Sequence, residues 1–245
     1  MKKFIVVKYS GKVLGRQAQA KNLAQGLVSL AKKYSVVLVH GGGVEISGWL
    51  EKMAIGAKFI QGLRYTDQPA MDVVEAVLSG LVNKSWVSLI NRQGGRAVGI
   101  SGRDGQLIVA ERIKKLGLVG EPKKINLGII KNLLSGGYLP VVSPVGTDVQ
   151  GKALNINADL VSAGLAVALK ADRLIFLTDV RGVYDAHKKI LPVIKASDIN
   201  GLIREGVISS GMIPKIKSAL KAVEKGVKEV VITDSLVNQG TRILK

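Results

Sequence analysis

The chain has 245 residues, of which 47% are hydrophobic, and this is enough to bury the core of one large domain or two fused lobes. It contains no cysteine, which excludes disulfides, thiolate zinc sites and a cysteine nucleophile. Lysine and arginine outnumber acidic residues by 36 to 18, and the net charge of +18 fits either a solvated basic surface or a polyanionic partner.

The first elements along the chain form a β-α-β unit. Residues 4–8 and 36–40 are short, β-branched apolar runs typical of buried parallel strands, and residues 16–33 between them have the spacing of an amphipathic helix. In a parallel sheet, ligands bind beyond the carboxyl ends of the strands. Lys8 lies at one such end. The glycine turn 41–43 lies at the next and opens a helix, so its amides could bind an anion.

The rest of the chain continues the α/β alternation. A long helix is expected over residues 68–91, capped by Thr66 or Asp67, and residues 107–112 and 119–125 are expected to form an antiparallel pair. Residues 144–146 have the composition of a turn. Further strands are predicted over residues 97–100, 139–143, 153–156, 174–177, 229–233 and 241–244. Further helices are predicted over residues 127–135, 159–170, 197–204 with Ser197 as the cap, and from 213 onward.

Two common nucleotide-binding motifs are absent from the sequence. The P-loop pattern G-x-x-x-x-G-K-[ST] does not occur, and the glycine turn is not G-x-G-x-x-G because Ile46 occupies the place of the third glycine. The chain is therefore neither a P-loop NTPase nor a dinucleotide-binding Rossmann protein by motif.

Six segments, in this order and spacing, resemble the amino acid kinase family from residue 4 to the end. They are Lys8 with Gly11, the turn His-Gly-Gly-Gly at 40–43, Gly-Leu-Arg-Tyr-Thr at 62–66, Asn-Ile-Asn-Ala-Asp at 155–159, Leu-Thr-Asp-Val-x-Gly at 177–182 and Gly-Met-Ile-Pro-Lys at 211–215. The segments 62–66 and 155–159 resemble the acetylglutamate branch in particular. Ser10 departs from the family, which usually has a glycine there.

The resemblance implies a fold and an activity. The fold is an α/β three-layer αβα sandwich with a mainly parallel central sheet and two lobes. Residues 1–170 would bind the acceptor substrate and form a dimer, and residues 171–245 would bind ATP. The activity is ATP-dependent phosphorylation of the side-chain carboxylate of N-acetyl-L-glutamate, a step of arginine biosynthesis. A carboxylate acceptor is already ionised at neutral pH, so the reaction needs charge neutralisation and positioning rather than a general base.

The resemblance also implies roles for individual residues. Lys8 and Lys215, from opposite lobes, would straddle the transferring phosphoryl group, with Asp159 accepting from both. A lysine in the first turn of a helix opposes the helix dipole, which favours a functional reading of Lys215. The phosphoryl cradle would consist of the amides of Gly11, Gly42 and Gly43. The acceptor would be clamped by Arg64, with help from Asn155. The nucleotide would contact Leu177, Thr178, Asp179, Val180, Arg181, Gly182, Val207, Ile208 and Ser209.

Several readings remain open at this stage. Asp179 is a ribose contact, a contact to a Mg²⁺-bound water or a turn residue, and His40 is better explained as a hydrogen-bonded strand-end histidine than as a ligand or base. No metal cage is expected, because Mg²⁺ would arrive with ATP. The acceptor could instead be glutamate or aminoadipate on an acidic carrier protein, which the charge of +18 favours and the short 62–66 segment disfavours. A third reading is a non-catalytic ligand-binding regulator.

Location and assembly are also expectations. No apolar run approaches the length of a membrane span and the chain begins directly with a strand, so we expect a cytoplasmic protein without a signal peptide. For the same reason we expect an arginine-insensitive homodimer, because arginine-inhibited hexameric relatives carry an extra N-terminal helix. Nucleic acid is a less favoured partner, since basic residues are dispersed and aromatic residues make up 4% of the chain.

Overall fold

A computed structural model describes residues 2–9, 17–60, 62–185, 187–208, 212–237 and 240–245. The strands are β1 Phe4–Tyr9, β2 Ser35–His40, β3 Lys58–Ile60, β4 Leu63–Tyr65, β5 Ala97–Ser101, β6 Ile108–Arg112, β7 Val119–Ile125, β8 Leu139–Ser143, β9 Val145–Thr147, β10 Ala153–Ile156, β11 Arg173–Leu177, β12 Val193–Lys195, β13 Glu229–Thr233 and β14 Thr241–Leu244. The α-helices are α1 Gln17–Lys33, α2 Gly43–Lys52, α3 Gln68–Glu75, α4 Asn83–Arg92, α5 Gly128–Ser135, α6 Ala158–Ala168, α7 Ile199–Arg204 and α8 Ile213–Glu224.

Eight strands form the central sheet in the order β12-β14-β13-β11-β1-β2-β8-β5. Within the described residues, β13 and β14 are its antiparallel pair and the other neighbours are parallel. Consecutive residues of β1, Ile5, Val6 and Val7, are all buried, so both faces of the sheet are covered. Helix α1 packs on α4 and helix α6 on α8, and these pairs contact the sheet. The predicted α/β class with a mainly parallel sheet is confirmed.

The register of the sheet determines where the site can form. Lys8 lies beside Val39 of β2 on one side and Phe176 of β11 on the other. The carboxyl ends of these three strands are therefore level, and the loops that follow them meet at one edge of the sheet.

A small closed barrel of β10, β7, β6 and β9 lies outside the central sheet. Strands β6 and β7 are antiparallel as predicted, with a bulge between Val109 and Ala110. The prediction of a simple turn at 144–146 is wrong, because β9 pairs there with β10. The hairpin between them closes at Gly151, whose φ of 87° is a conformation that glycine adopts without steric cost. A three-residue strand carries too little periodicity for the sequence to reveal it.

The predicted helix over 68–91 is present as a helical run, but its middle is not α-helical. Helix α3 continues as a π-helix, Ala76–Val82, before α4 begins. Asp67 caps α3 by accepting a hydrogen bond from the Ala70 amide at 3.0 Å. The whole run, Gln68–Arg92, is long and apolar enough to cross a membrane by length and composition alone. Here its apolar side chains include fully buried Trp86, so the run serves as a core helix.

Three short elements depart from the sequence prediction. The hairpin of β3 and β4 and the strand β12 were not predicted, because each has only three residues. Ser197 is not a helix cap, since it lies inside a 3₁₀ turn and donates to Asp198 at 2.7 Å. Helix α7 begins after that turn without a side-chain cap.

The predicted division at residue 170 falls between α6 and β11. Strand β11 pairs directly with β1, so the central sheet runs across this position without interruption. The assignment of residues 1–170 and 171–245 to two lobes stays a prediction.

Candidate active site

Three charged side chains meet at the carboxyl edge of the sheet. Lys8 is the penultimate residue of β1, Asp159 lies in the first turn of α6 and Lys215 in the first turn of α8. Lys8 Nζ is 2.7 Å from Asp159 Oδ1, and Lys215 Nζ is 3.3 Å from Asp159 Oδ2. Asn157 caps α6 by accepting from the Asp159 amide at 2.8 Å, which holds the carboxylate in place. One carboxylate thus binds two ammonium groups that come from distant parts of the chain.

The three groups are largely withdrawn from water, with Lys8 6% exposed and Lys215 8% exposed. Burial lowers the pKa of Lys8, and the nearby Lys215 adds to this effect against the attraction of Asp159. Burial by itself would raise the pKa of the Asp159 carboxyl, but the two lysines outweigh it and hold that pKa below its ordinary value. Lys215 Nζ also lies 5.0 Å from the centre of the Phe176 ring. The cluster carries a net charge of +1, with two cations and one anion, and it could attract an anion.

The glycine turn lies at the neighbouring strand end. The Gly41 amide donates to Tyr9 O at 3.0 Å, which joins the ends of β1 and β2. Gly42 is the N-cap residue of α2, and no side chain of the described residues caps this helix. A Cβ at Gly42 would lie 2.6 Å from Leu78 Cδ2, whereas a Cβ at Gly43 would meet no atom of the described residues within 4 Å. The turn is therefore packed on one side and open on the other, as an anion-binding helix start requires.

Arg64, in β4, is held against the glycine turn. Its Nη2 donates to Gly43 O at 3.1 Å and to Ser47 Oγ at 2.7 Å, and its guanidinium lies 4.7 Å from the Phe59 ring centre. The other terminal nitrogen, Nη1, is buried and has no hydrogen-bond partner among the described residues. Burial lowers the pKa of Arg64, but a guanidinium stays charged at any physiological pH. A buried guanidinium nitrogen that no described residue satisfies is suited to bind the carboxylate of a ligand.

Asn155 is linked to Arg64 through Thr66. The Asn155 amide nitrogen donates to Thr66 Oγ1 at 3.1 Å, and that hydroxyl donates to Arg64 O at 3.1 Å. Thr66 is fully buried, and its backbone bonds to Leu116 and Leu118 of the segment that precedes and enters β7. Asn155 thus lies at the same end of the site as Arg64.

His40 is fully buried, and both ring nitrogens have partners. Nδ1 is 2.8 Å from Gly41 O, which can only accept, so Nδ1 carries the proton. Nε2 then accepts from Asn83 Nδ2 at 3.1 Å. Burial lowers the pKa of His40 to about 4, and the nearby Lys84 adds to this effect. A neutral ring whose nitrogens are both occupied fits the predicted strand-end role better than that of a base or ligand.

The predicted nucleotide segment follows β11, next to β1. Leu177 and Gly182 are buried, and the Thr178 amide donates to Thr233 O at 2.9 Å. Asp179 is exposed and accepts from the Thr178 hydroxyl at 3.0 Å, while Val180 is half-buried. The Arg181 side chain is exposed and lies 3.7 Å from Asp234.

The second predicted nucleotide segment follows α7. Val207 is half-buried, and Ile208 is buried with its amide donating to Leu202 O at 3.1 Å. Gly11, Ser10 and Ser209 lie outside the described residues, so their predicted roles remain predictions. Among the described residues no group of three or more histidine, cysteine, aspartate or glutamate side chains could hold a metal ion.

Sequence reasoning missed the residues that support the glycine turn and Arg64. Ser47 lies on α2 and Phe59 on β3, and neither is next to Arg64 in sequence. Asn83 lies on a helix that was predicted as ordinary α-helix, where an asparagine gives no signal of its own. The one signal available was the occurrence of a polar residue on an otherwise apolar helix face.

Known proteins are similar to this chain over nearly its whole length. The Amino acid kinase family profile matches residues 3–234. An acetylglutamate kinase of Endomicrobium trichonymphae is 45% identical over 237 residues, which cover 96% of this chain and 95% of that protein. An acetylglutamate kinase of Nitrobacter winogradskyi is 40% identical over an alignment that covers 98% of this chain and 89% of that protein. The crystal structure of smu.665 from Streptococcus mutans UA159 superposes with a TM-score of 0.88 at 33% identity, covering 100% and 99% of the two chains. The chain belongs to the amino acid kinase family.

Proposed function

We propose that this chain phosphorylates the side-chain carboxylate of N-acetyl-L-glutamate with ATP, giving N-acetyl-L-glutamyl 5-phosphate in arginine biosynthesis. The observation that carries the proposal is the buried cluster in which Lys8 and Lys215 bind one carboxylate of Asp159 at 2.7 and 3.3 Å. Relatives named acetylglutamate kinase, 40 to 45% identical over nearly the whole chain, support the choice of acceptor.

In the reaction, an oxygen of the acceptor carboxylate forms a bond to the γ-phosphorus as the bond to the bridging oxygen of ADP breaks. The acceptor needs no deprotonation, so the site needs no general base, which agrees with a buried and neutral His40. Lys8 and Lys215 stabilise the charge on the transferring group. Asp159 positions both ammonium groups, so that little reorganisation is needed in the transition state.

The acceptor binds at the glycine-turn side of the cluster. Arg64 Nη1, the buried nitrogen without a described partner, donates to the acceptor's α-carboxylate, while Nη2 stays bonded to Gly43 O and Ser47. Asn155 assists through its side-chain amide. The amides of Gly42 and Gly43, at the start of α2, bind oxygens of the phosphoryl group.

ATP binds over the carboxyl end of β11, with contacts to 177–182 and 207–209 that are mostly to the backbone. Among the described residues, no group of three or more histidine, cysteine, aspartate or glutamate side chains could hold a metal ion. Mg²⁺ would arrive with ATP and would be held mainly by its phosphates and by water, as is usual for nucleotide-bound Mg²⁺. An ATP-consuming biosynthetic step of this kind is expected in the cytoplasm.

A coupled assay that measures ADP release tests this function. We expect ATP turnover that depends on N-acetyl-L-glutamate and that is lost in the Lys8→Ala variant. A folded wild-type protein that binds ATP without any turnover would instead support a non-catalytic regulator.

The same assay tests a second acceptor, glutamate or aminoadipate attached to an acidic carrier protein. The net charge of +18 favours this acceptor, because a basic surface speeds the capture of an acidic partner. Turnover of the carrier-bound form without turnover of free N-acetyl-L-glutamate would reverse our order of preference.

We also propose that the chain forms a homodimer. Trp49, Met53 and Leu81 are 39 to 56% exposed and belong to an apolar surface made by α2, α3 and the π-helix. The described residues that line this surface are apolar side chains and one glycine, and Lys52 Nζ lies 4.9 Å from the Trp49 ring centre. An exposed apolar surface of this kind is typical of a contact between protein chains. Light scattering of the wild type and of Leu81→Glu tests this, with a monomeric wild type as the contradicting result.

A further inference from the structure

The side chain of Asn83 is buried at a position where the neighbouring strand leaves room for it. Asn83 is the first residue of α4, directly after the π-helix, and its side chain is fully buried. A Cβ at Gly99 of β5 would lie 1.9 Å from Asn83 Oδ1, so the glycine is needed to make room for this amide. Stretches of π-helix are rare and occur mostly at functional sites. The glycine and the π-helix together indicate that the position of Asn83 matters.

The Asn83 amide connects three strands of the central sheet. Its Nδ2 is 3.1 Å from His40 Nε2, 3.0 Å from Val141 O and 3.4 Å from Ile100 O, on β2, β8 and β5. Its Oδ1 accepts from Lys84 Nζ at 3.2 Å. The amide is therefore oriented with its donor towards His40, and this orientation makes His40 Nε2 an acceptor.

The orientation of His40 is passed on to the glycine turn. With Nε2 accepting, the ring proton must lie on Nδ1, and it is donated to Gly41 O at 2.8 Å. The Gly41 amide donates in turn to Tyr9 O at 3.0 Å. The carbonyl and the amide of Gly41 are thus both held by hydrogen bonds. Gly41 in turn sets the direction of the next two amides, those of Gly42 and Gly43.

The π-helix supports the same turn from the other side. Leu78 and Val82 lie against Gly42, where a Cβ would come within 2.6 and 3.4 Å of their side chains. Ser79 Oγ is 2.8 Å from Ser143 Oγ at the end of β8. One helical segment therefore contacts the turn by packing and, through Asn83 and His40, by hydrogen bonds.

We propose that Asn83 and His40 are positioning residues that orient the Gly42 and Gly43 amides toward the phosphoryl group and the acceptor. This inference rests on the proposed function, because those amides matter only if the site transfers phosphate to a carboxylate. Neither residue touches a reacting atom. Because the Gly42 and Gly43 amides are proposed to hold the phosphoryl group while it is transferred, the effect should appear in kcat and in kcat/KM for the acceptor. The KM for ATP should stay unchanged, since the proposed nucleotide contacts at 177–182 and 207–209 are not altered.

Two substitutions of His40 separate positioning from simple filling of space. His40→Asn places an amide nitrogen near the position of Nδ1 and can still donate to Gly41 O, but it leaves a larger void. His40→Gln fills more of the space and keeps a polar atom near Nε2 for Asn83, but it loses the donor to Gly41 O. If His40 only fills space, the glutamine variant should keep more activity than the asparagine variant. If His40 positions the glycine turn, the asparagine variant should keep more.

We expect kcat/KM for the acceptor to fall at least about tenfold in His40→Gln and within about threefold in His40→Asn, with the KM for ATP unchanged in both. Asn83→Leu should resemble His40→Gln. Ile90→Val, a change at a fully buried position of the same helix, controls for loss of packing and should leave both KM values unchanged. Equal activity in the two His40 variants, or a milder effect of glutamine, would overturn the proposal.

A spectroscopic measurement tests the hydrogen-bond direction without relying on activity. The chain has only two histidines, so His187→Gln leaves the His40 ring as the single imidazole signal. Its ¹⁵N shifts should report a neutral ring protonated at Nδ1, and a ring protonated at Nε2 would overturn the proposal. Inactivity of the wild type with N-acetyl-L-glutamate would refute the proposed function instead, while this measurement could still be made.

Discussion

The two ends of the site are built differently. At the proposed acceptor end, Arg64 and His40 are buried and bond to residues far away in the sequence, such as Ser47 and Asn83. At the proposed nucleotide end, Asp179 is exposed and bonds to its neighbour Thr178. Buried side chains held from several directions keep one orientation, whereas exposed side chains with local contacts do not. We therefore expect selection by side chains at the proposed acceptor end and mainly backbone contacts at the proposed nucleotide end.

The largest effect is expected where the two ends meet. Lys8→Met and Lys215→Met keep most of the side-chain length and remove one ammonium group each from the buried cluster. Each should raise the barrier by about 3 kcal/mol, which is a loss of more than a hundredfold in kcat. The ADP-release assay measures this. Lys217→Met is the matched control, because Lys217 is exposed on α8, the helix that carries Lys215. An equal loss there would mean that the overall positive charge of the protein, and not the cluster, drives catalysis.

The acceptor end should be sensitive to acid because it contains a buried neutral histidine. The pKa of His40 is about 4 in the folded chain and 6.5, its ordinary value, in the unfolded chain. The unfolded state therefore binds more protons between these values, and the free energy of unfolding should fall by about 3 kcal/mol as the pH drops from 6.5 to 4. The stabilisation that depends on the neutral His40 ring is fully present above pH 6.5. Urea unfolding at several pH values measures it.

The His40→Asn variant is the control for this pH dependence, since it has no ring to titrate and should lack this part of the slope. Asp159, whose pKa lies below its ordinary value, loses its stabilising effect only at still lower pH. Identical slopes for the two proteins between pH 6.5 and 4 would show that His40 is not buried in the neutral form.

A smaller effect is expected from Arg64→Lys, which keeps the charge but loses the planar fork of donors. The KM for the acceptor should rise by a factor that corresponds to about 2 kcal/mol, because one hydrogen bond between charged groups is lost. The KM for ATP should not change. Arg92→Lys, at an exposed position, serves as the control. If the KM for ATP rose instead, Arg64 would act at the nucleotide end of the site and the proposed acceptor role would be wrong.

The smallest effect is expected at the nucleotide end. Asp179→Asn should change kcat/KM for ATP by less than about threefold, because the side chain is exposed and hydrogen-bonds to the adjacent Thr178. The same assay with varied ATP measures it. A loss as large as that of Arg64→Lys would mean that the nucleotide end also depends on a specific side chain, and the contrast between the two ends would disappear.

The sequence by itself determined the fold class, because β-branched apolar runs and amphipathic periods are local patterns. The resemblance of its motifs to the amino acid kinase family also marked Lys8, Asp159 and Lys215. Lys8 lies near the end of a strand and the other two in the first turn of a helix, and the parallel sheet brings such ends to one edge.

Only the tertiary structure decided which residues hold the other side chains of the site in place. The partners of Arg64 and His40 come from α2 and α4, and no local pattern in the sequence links them. The π-helix, the room that Gly99 leaves for Asn83 and the buried Nη1 of Arg64 all depend on how separate elements pack. Packing acts between residues that are distant in sequence, which is why periodicity predicts the elements but not the contacts between them.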